Sequence, residues 1–252
     1  IVAAAQGTGT NIVARIDTLQ AIRGAAFALE TGVDGLLLPA GHAEIWADAQ
    51  MIAAERLAIQ SDGNEIAIDD SSIVPVEIVS IEDGGVGDRV CVDLTSVLEV
   101  GEGLLIGSSS NALALIHGET LESDFVPPRP FRVNAGAVHA YVLMADGSTK
   151  YLSELSAGDS VAVCNSDGIV RSAVIGRMKI ESRPFLLVRF NHPESGIVGQ
   201  TFLQQAETVR LISPLGEMPS VTSITVGDLL LARIGSSARH IGQTVLSVAE
   251  ER

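Results

Sequence analysis

The hydrophobic period of this chain changes once, across the polar and acidic stretch Gln60–Ser72 (QSDGNEIAIDDSS), and the change separates two kinds of fold. Before it, strand and helix patterns alternate. Ile1–Ala5 is a short apolar run that opens the series as a strand. Asp17 with Gln20 forms a capping-box pattern ahead of the stripe Leu19, Ile22, Ala26 and Leu29, which Gly32 stops. Asp34–Leu38 predicts a buried strand. His42–Ile59 predicts a second helix with Ile45, Ala49, Ile52 and Leu57 roughly on one side. This βαβα order belongs to part of a parallel α/β sheet, and the stretch is too short for a complete barrel or doubly wound domain. From Ile73 onward, β-patterned runs separated by Gly, Asp, Asn and Pro dominate and helix is scarce. The expected fold class is α+β: a short, partial, barrel-like α/β portion over residues 1–72, then a β-rich domain of many short strands over residues 73–252.

One local pattern recurs in the second part. An apolar residue, a glycine and an acid precede a strand at Val86-Gly87-Asp88, Val100-Gly101-Glu102, Ala157-Gly158-Asp159 and Val226-Gly227-Asp228. Each is expected to be a turn in which glycine takes a positive φ and the acid bonds nearby backbone amides. Met144–Gly147 and Asn165–Gly168 predict hairpin turns of the same kind.

Charge narrows the function. The chain has 31 acidic and 16 basic residues and a net charge of −15, which repels a phosphate backbone and argues against nucleic-acid or anionic-membrane binding. Residues 61–125 hold 14 of the acids and one basic residue, Arg89, so 13 of the 15 net charges lie there. Two cysteines, Cys91 and Cys164, make neither a disulfide framework nor a zinc spacing. No signal peptide or long apolar run is read, so a soluble cytoplasmic protein is expected, with a homo-oligomer left open. The chain begins at Ile1 rather than methionine, which leaves room for residues upstream.

Candidate chemistry concentrates in four places. In Asp88–Leu94, alternation puts Val90, Val92 and Leu94 on one face and Arg89, Cys91 and Asp93 on the other. The segment Gly101-Glu102-Gly103, followed by a strand and the loop Gly107-Ser108-Ser109-Ser110-Asn111, offers amides and hydroxyls that can cradle a phosphate; tight packing of small residues explains it almost as well. No dinucleotide fingerprint is complete, since Gly7-Thr8-Gly9-Thr10-Asn11-Ile12 lacks its third glycine. His117 and Glu119 share side-chain parity at a strand end, so they can reach one ion or substrate. In Arg129–Tyr141 (RPFRVNAGAVHAY), Arg132 and Asn134 have one parity and His139 and Tyr141 the other, and a bulge at Gly136 can turn all four toward one pocket. A carboxylate substrate suits Arg129 and Arg132. Finally, Arg177, Lys179, Glu181 and Arg183 occupy one strand face: a solvated face in the plain reading, or a setting that makes Lys179 a proton-transfer amine. Lys179 and Lys150 are the only lysines.

With these residues laid out, the chain from about Val74 resembles the archaeal-type, or type II, 3-dehydroquinate synthase family, which is shared with 3-amino-4-hydroxybenzoate synthases. The matching segments are GDRVCVD, GEGLLIGSSS, HGET, RPFRVNAGAVHAYV, YLSELSAGD, GRMKIESRP, QQAETVRL and ARHIG. In the first part, Gly32–Leu38 (GVDGLLL) is also similar, although upstream strand and helix units expected of the family are lacking. The resemblance implies action on a small amino-keto sugar acid, 2-amino-3,7-dideoxy-D-threo-hept-6-ulosonate. In the dehydroquinate branch, NAD-dependent oxidative deamination is followed by aldol closure to 3-dehydroquinate; in the other branch nitrogen is retained and a divalent metal, Mn or Mg, takes the place of NAD. HGET favours the first branch. A non-catalytic binding homologue is the reading from a different class.

On this resemblance Lys179, His139, Arg132, Tyr141 and Glu181 are the expected catalytic residues, and Arg129 and Asn134 the expected substrate contacts. Gly101, Gly103, Gly107, Ser108 and Ser109 are expected to hold NAD. Glu102, Glu119 and His139, with His117 as a further donor, are expected to hold a divalent ion. Closure needs a base beside a ketone and an electrophile for the enolate. Lys179 or His139 suits the first role, and Arg132, Tyr141 or a metal the second.

Overall fold

The computed structural model describes residues 2–5, 8–28, 32–61, 73–123, 126–235, 239–240 and 243–244. Their contacts divide the chain into two compact units, Ile1–Asn64 and Glu65–Arg252. Most of the polar stretch Gln60–Ser72, and residue Leu29 of the first helical stripe, lie outside the described residues.

The first unit contains helix α1 (Val2–Ala5), strand β1 (Val13–Arg15), helix α2 (Leu19–Ala26), strand β2 (Gly35–Leu37) and helix α3 (Ala43–Ser61). The βαβα order holds, but its first strand is Val13–Arg15, not Ile1–Ala5, whose residues 2–5 form a helical turn. Three alanines in four residues favour that turn, while the Val13–Arg15 backbone finds a parallel partner in Gly35–Leu37. The cap also differs from expectation. Thr18 is the N-cap residue of α2 and makes no side-chain cap bond, while Asp17 instead accepts a hydrogen bond from Arg15 Nε at 3.1 Å. Ile22 and Ala26 from α2 meet Ile45, Ala49 and Ile52 from α3 over Ile16, forming the apolar centre of this unit. Leu19, on the first turn, is exposed.

The second unit is built on two strands far longer than the sequence pattern predicts. Strand β3 (Ile73–Leu94) and strand β10 (Val170–Asn191) run antiparallel over most of their 22 residues each. Between them in sequence lie β4 (Gly103–Ser109), β5 (Ala112–His117), β6 (Arg132–Ala137), β7 (Tyr141–Leu143), β8 (Thr149–Tyr151) and β9 (Ser160–Cys164). After them come β11 (Val198–Gln204) and β12 (Leu229–Ile234). The main path through this ten-stranded sheet is β11-β10-β3-β12-β5-β4-β7-β8, with β6 on β3 and β9 joining β10 to β4. Among the described residues of this unit the helical content is one 3₁₀ turn, Leu152–Glu154. A further short pair joins Arg239–His240 to Gln243–Thr244.

The length of β3 and β10 explains the one failure among the glycine turns. Val86-Gly87-Asp88 lies within β3, where Gly87 faces Arg183 of β10 and has no positive φ. The other three are turns: Gly101, Gly158 and Gly227 have φ of 92°, 96° and 97°. In each, the following acid accepts the backbone N–H three residues before it, Glu102 from Glu99, Asp159 from Ser156 and Asp228 from Thr225. This local acceptor satisfies a turn amide that no strand reaches.

Strands β4 and β5 are apolar on both sides because both sides are covered. Leu104, Ile106, Ala114 and Ile116 enter the larger core with Val90, Val92, Val133, Val163 and Phe190, while Leu105, Leu113 and Leu115 enter a second cluster with Leu143, Ala162 and Ile212. Among the described residues no helix is long and apolar enough to cross a membrane.

Candidate functional site

The polar face expected of Asp88–Leu94 becomes the floor of a charged ladder. At its C-terminal half β3 lies between β6 and β10, so the odd-numbered residues of β3 and β10 meet the even-numbered Arg132 and Asn134 of β6 side by side. One rung is Arg132, Asp93 and Arg177; the next is Asn134, Cys91 and Lys179; the third carries Arg89 and Glu181. Strand alternation places these side chains together, and the antiparallel register sets acid against base at both ends.

Asp93 is the pivot. It is 4% exposed and receives Nε and Nη2 of Arg132 at 2.6 and 2.8 Å, while its Oδ2 also receives Nε and Nη2 of Arg177 at 2.8 and 2.5 Å. Burial pushes the Asp93 carboxyl upward, but the two guanidinium groups outweigh burial and hold it below the usual aspartate value. Arg132 is correspondingly pushed up by its bond to Asp93. The expected open substrate contact at Arg132 is thus corrected: its fork is occupied, and it is buried.

At the other end, Glu181 gathers three cations: Arg89 Nη2 at 2.6 Å, Lys179 Nζ at 3.2 Å and Arg183 Nη2 at 3.2 Å. The bond from Lys179, with the charges of Arg183 and Arg89, holds the Glu181 carboxyl below its usual range. Cys91, on the middle rung, is 1% exposed and bonded by Arg89 Nη1, and burial raises its thiol despite Arg89 and Arg132 nearby. It therefore stays a thiol at neutral pH and is a poor nucleophile. Glu119 acts electrostatically on Arg132 and Cys91 and pairs with Arg129 Nη1 at 3.1 Å. Lys179, Glu181, Arg132, Arg129, Asn134 and Glu119 are thus brought together, and Asp93 and Arg89 join them.

The bulge expected at Gly136 is present. Val90 faces Gly136 while Cys91 faces Asn134, which leaves Ala135 without a partner on β3, and Gly136 takes φ 111°. A Cβ at Gly136 would stand 2.5 Å from the Phe202 carbonyl oxygen, so β11 can approach only a glycine here. The bulge does not, however, turn four side chains into one pocket. Arg132 and Asn134 join the ladder, whereas His139 meets Ser108 Oγ through Nε2 at 3.3 Å and packs edge-on against Phe202 at 5.3 Å. Partial burial keeps His139 below its usual value. Tyr141 stacks on Tyr151 with their hydroxyls 2.6 Å apart. Strand β11 connects the two groups, because Phe202 touches His139 and Gln204, two residues on, accepts a hydrogen bond from Asn134 Nδ2 at 2.9 Å.

The expected NAD cradle does not fit. A Cβ at Gly103 would lie 2.0 Å from the Ile116 carbonyl oxygen and one at Gly107 2.2 Å from that of Ala112, so these glycines serve the close approach of β4 to β5. The Gly101 amide donates to His117 Nε2 at 3.0 Å, Ser108 bonds His139, and Ser109 bonds Asn111. The expected metal set does not assemble either. Glu102 is taken in a fork by Arg171 at 2.6 and 2.7 Å, Glu119 is taken by Arg129, and His139 by Ser108. His117, 1% exposed, turns to the Gly101 amide instead of toward Glu119, and burial with Arg210 lowers it to about 4. Among the described residues no three His, Cys, Asp or Glu side chains could hold a metal ion together.

From the sequence, Asp93 stands on the polar face of Asp88–Leu94 without a site role, and Arg177 only as part of a charged face. Their signal was available: Arg89-x-x-x-Asp93 and Arg177-x-x-x-Glu181 are charge-complementary when laid antiparallel.

Residues 75–252 match a family model described as the 3-dehydroquinate synthase II C-terminal domain. The chain is 42% identical over 253 residues to the 3-dehydroquinate synthase of Methanothermobacter thermautotrophicus, covering all of this chain and 64% of that protein. It is 39% identical over 245 residues to the 3-dehydroquinate synthase of Methanosphaera stadtmanae, covering 97% of this chain and 65% of the relative. With that of Methanocaldococcus jannaschii it shares 41% over 241 residues, covering 96% and 63%. The chain therefore spans just under two thirds of the length of these curated relatives.

Proposed function

This chain belongs to the 3-dehydroquinate synthase II family, and from that premise we propose that it takes part in forming 3-dehydroquinate from the open-chain amino-keto acid 2-amino-3,7-dideoxy-D-threo-hept-6-ulosonate. The observation that carries the proposal is the ladder on β6, β3 and β10, a cationic floor in a chain of net charge −15, linked along β11 to a neutral imidazole. An acidic, flexible substrate needs both an anchor for its charge and a base beside its ketone.

We assign the base to His139 and not to Lys179. His139 is held below 6.5, so at pH 7 it is neutral and can accept the proton removed from the carbon beside the ketone. Lys179 Nζ already donates to Glu181, which suits it to hydrogen-bond the oxygen on which charge develops as the enolate forms. For closure the amino-bearing carbon at the far end must first become a carbonyl, its hydride passing to bound NAD and its nitrogen being displaced by water as ammonia. The enolate carbon can then attack that carbonyl, the ring closes, and the new alkoxide takes up a proton. Asn134 and Arg129 are the proposed further substrate contacts, and Tyr141 a donor near His139.

The NAD requirement is part of this proposal and rests on the family resemblance. The segment Gly101–Ser109 is not assigned as its cradle, because its glycines and hydroxyls have other partners. Incubating the protein with the amino-keto acid, with and without NAD, and weighing the product by mass spectrometry tests the reading. Conversion to 3-dehydroquinate only with NAD is expected. An aromatic amino acid formed without NAD, in the presence of a divalent metal, would replace it with the aminohydroxybenzoate reading.

A further inference from the structure

We propose that Arg177 is the residue that selects for an acid, receiving the ligand's carboxylate on the outer edge of a guanidinium that Asp93 already holds in place. The inference deepens the proposed function and rests on it for the identity of the ligand.

The cations of the ladder are not equivalent. Arg132 presents its fork to Asp93 and is 8% exposed at its side chain. Arg89 is 6% exposed, with one terminal nitrogen on Glu181 and the other on Cys91. Arg183 uses Nη1 on the Ser182 carbonyl and Nη2 on Glu181. Arg177 differs from all three. Its side chain is 64% exposed, yet Nε and Nη2 are fixed on an Asp93 carboxylate that is itself 6% exposed. The Nε–Nη2 edge faces the protein, and the Nη1–Nη2 edge remains for a second carboxylate. An arginine so placed has already lost the rotamer freedom that a free surface arginine would lose on binding, and planar forked recognition is what distinguishes it from a lysine.

Charge points the same way. Asp93 carries one negative charge and two guanidinium partners, Glu181 one against three cations, and Glu119 one against Arg129, so the cluster holds six cations over three carboxylates. An anion is the group such an excess accepts. The neighbouring rung adds an independent observation. Asn134 is 4% exposed; its Nδ2 bonds Gln204, and its Oδ1 is buried with no partner. A buried acceptor left open is costly unless something donates to it. A hydroxyl or amino group near the ligand's carboxylate supplies that donor, so the class of ligand is a hydroxy or amino acid and not a simple anion.

The test uses the whole chain, with 3-dehydroquinate and its methyl ester as probes in titration calorimetry, alongside the turnover assay. Wild type should bind the acid at least tenfold more tightly than the ester. Arg177→Gln should abolish that preference by weakening the acid alone. Arg177→Lys, which keeps the charge and loses the fork, should recover only part of it and gives a second reading if the glutamine variant does not fold. Wild-type preference retained in R177Q, full recovery in R177K, or no preference in wild type would each overturn the inference. An Arg177-dependent preference without any turnover would uphold the inference and defeat the proposed reaction. Turnover to 3-dehydroquinate with the preference unchanged in R177Q would do the reverse.

Discussion

Arg132 Nε and Nη2 close on the two oxygens of Asp93 at 2.6 and 2.8 Å, across adjacent strands and with both side chains less than a tenth exposed. A buried pair of this kind is more costly to break than it is valuable to possess, because removing one partner leaves the other charge without compensation. Asp93→Asn should therefore destabilise the second unit by about 3–5 kcal/mol. Arg177→Gln, which removes the exposed partner only, should cost no more than about 1 kcal/mol. Denaturant melts of the two variants check this. Equal losses would mean that Asp93 draws its stability from the exposed partner as much as from the buried one.

His117 makes stability depend on pH in a definite direction. Its folded value is about 4 against 6.5 for the free side chain, because burial and Arg210 disfavour the charged ring. Above pH 6.5 both folded and unfolded states are neutral and nothing is lost. As pH falls from 6.5 towards 4 the unfolded chain takes up a proton that the folded one refuses, so stability declines, and the loss levels off below about 4 at roughly 3 kcal/mol. His117→Gln should flatten this part of the stability curve. A variant with the wild-type slope between pH 6.5 and 4 would show that other groups carry it.

The assignment of the base separates two side chains. His139→Ala should lower kcat by ~10²-fold or more, the usual size of a general-base contribution, with KM little changed. Because partial burial lowers His139, the acid limb of the kcat profile should fall below pH 6.5. Lys179→Met removes a donor and also one cation from Glu181, and should lower kcat while leaving that acid limb where it is. If the limb disappears in K179M and persists in H139A, the roles are exchanged.

Much of this arrangement could be read from alternation alone. Arg89, Cys91 and Asp93 share a face as their spacing requires, and so do Arg177, Lys179, Glu181 and Arg183. The Gly136 bulge was visible as a glycine among small residues in a strand. What alternation does not contain is which strands become neighbours. Gly87 looks locally like Gly101, and only pairing with Arg183 along β10 keeps it extended. For the same reason Arg132 reads as an open arginine until β3 is set beside β6 and Asp93 takes its fork. The clustered small residues of Gly101–Ser109 suit a phosphate in sequence, yet Gly103 and Gly107 are small because β5 lies against them.

That last point gives a direct test at Ser108. If Ser108 helped hold a nucleotide, Ser108→Ala would raise the KM for NAD and leave the proton-transfer step alone. In the structure its hydroxyl meets His139 Nε2 at 3.3 Å, so its expected work is to fix the ring of the proposed base. A neutral hydrogen bond is worth about 1 kcal/mol net, which corresponds to roughly fivefold in rate. Ser108→Ala should therefore lower kcat by about fivefold and leave the KM for NAD unchanged. The same substitution made on His139→Ala should have almost no further effect, since the bond it removes is already gone. A KM for NAD that rises in S108A with kcat intact would return the segment to the cofactor and detach it from His139.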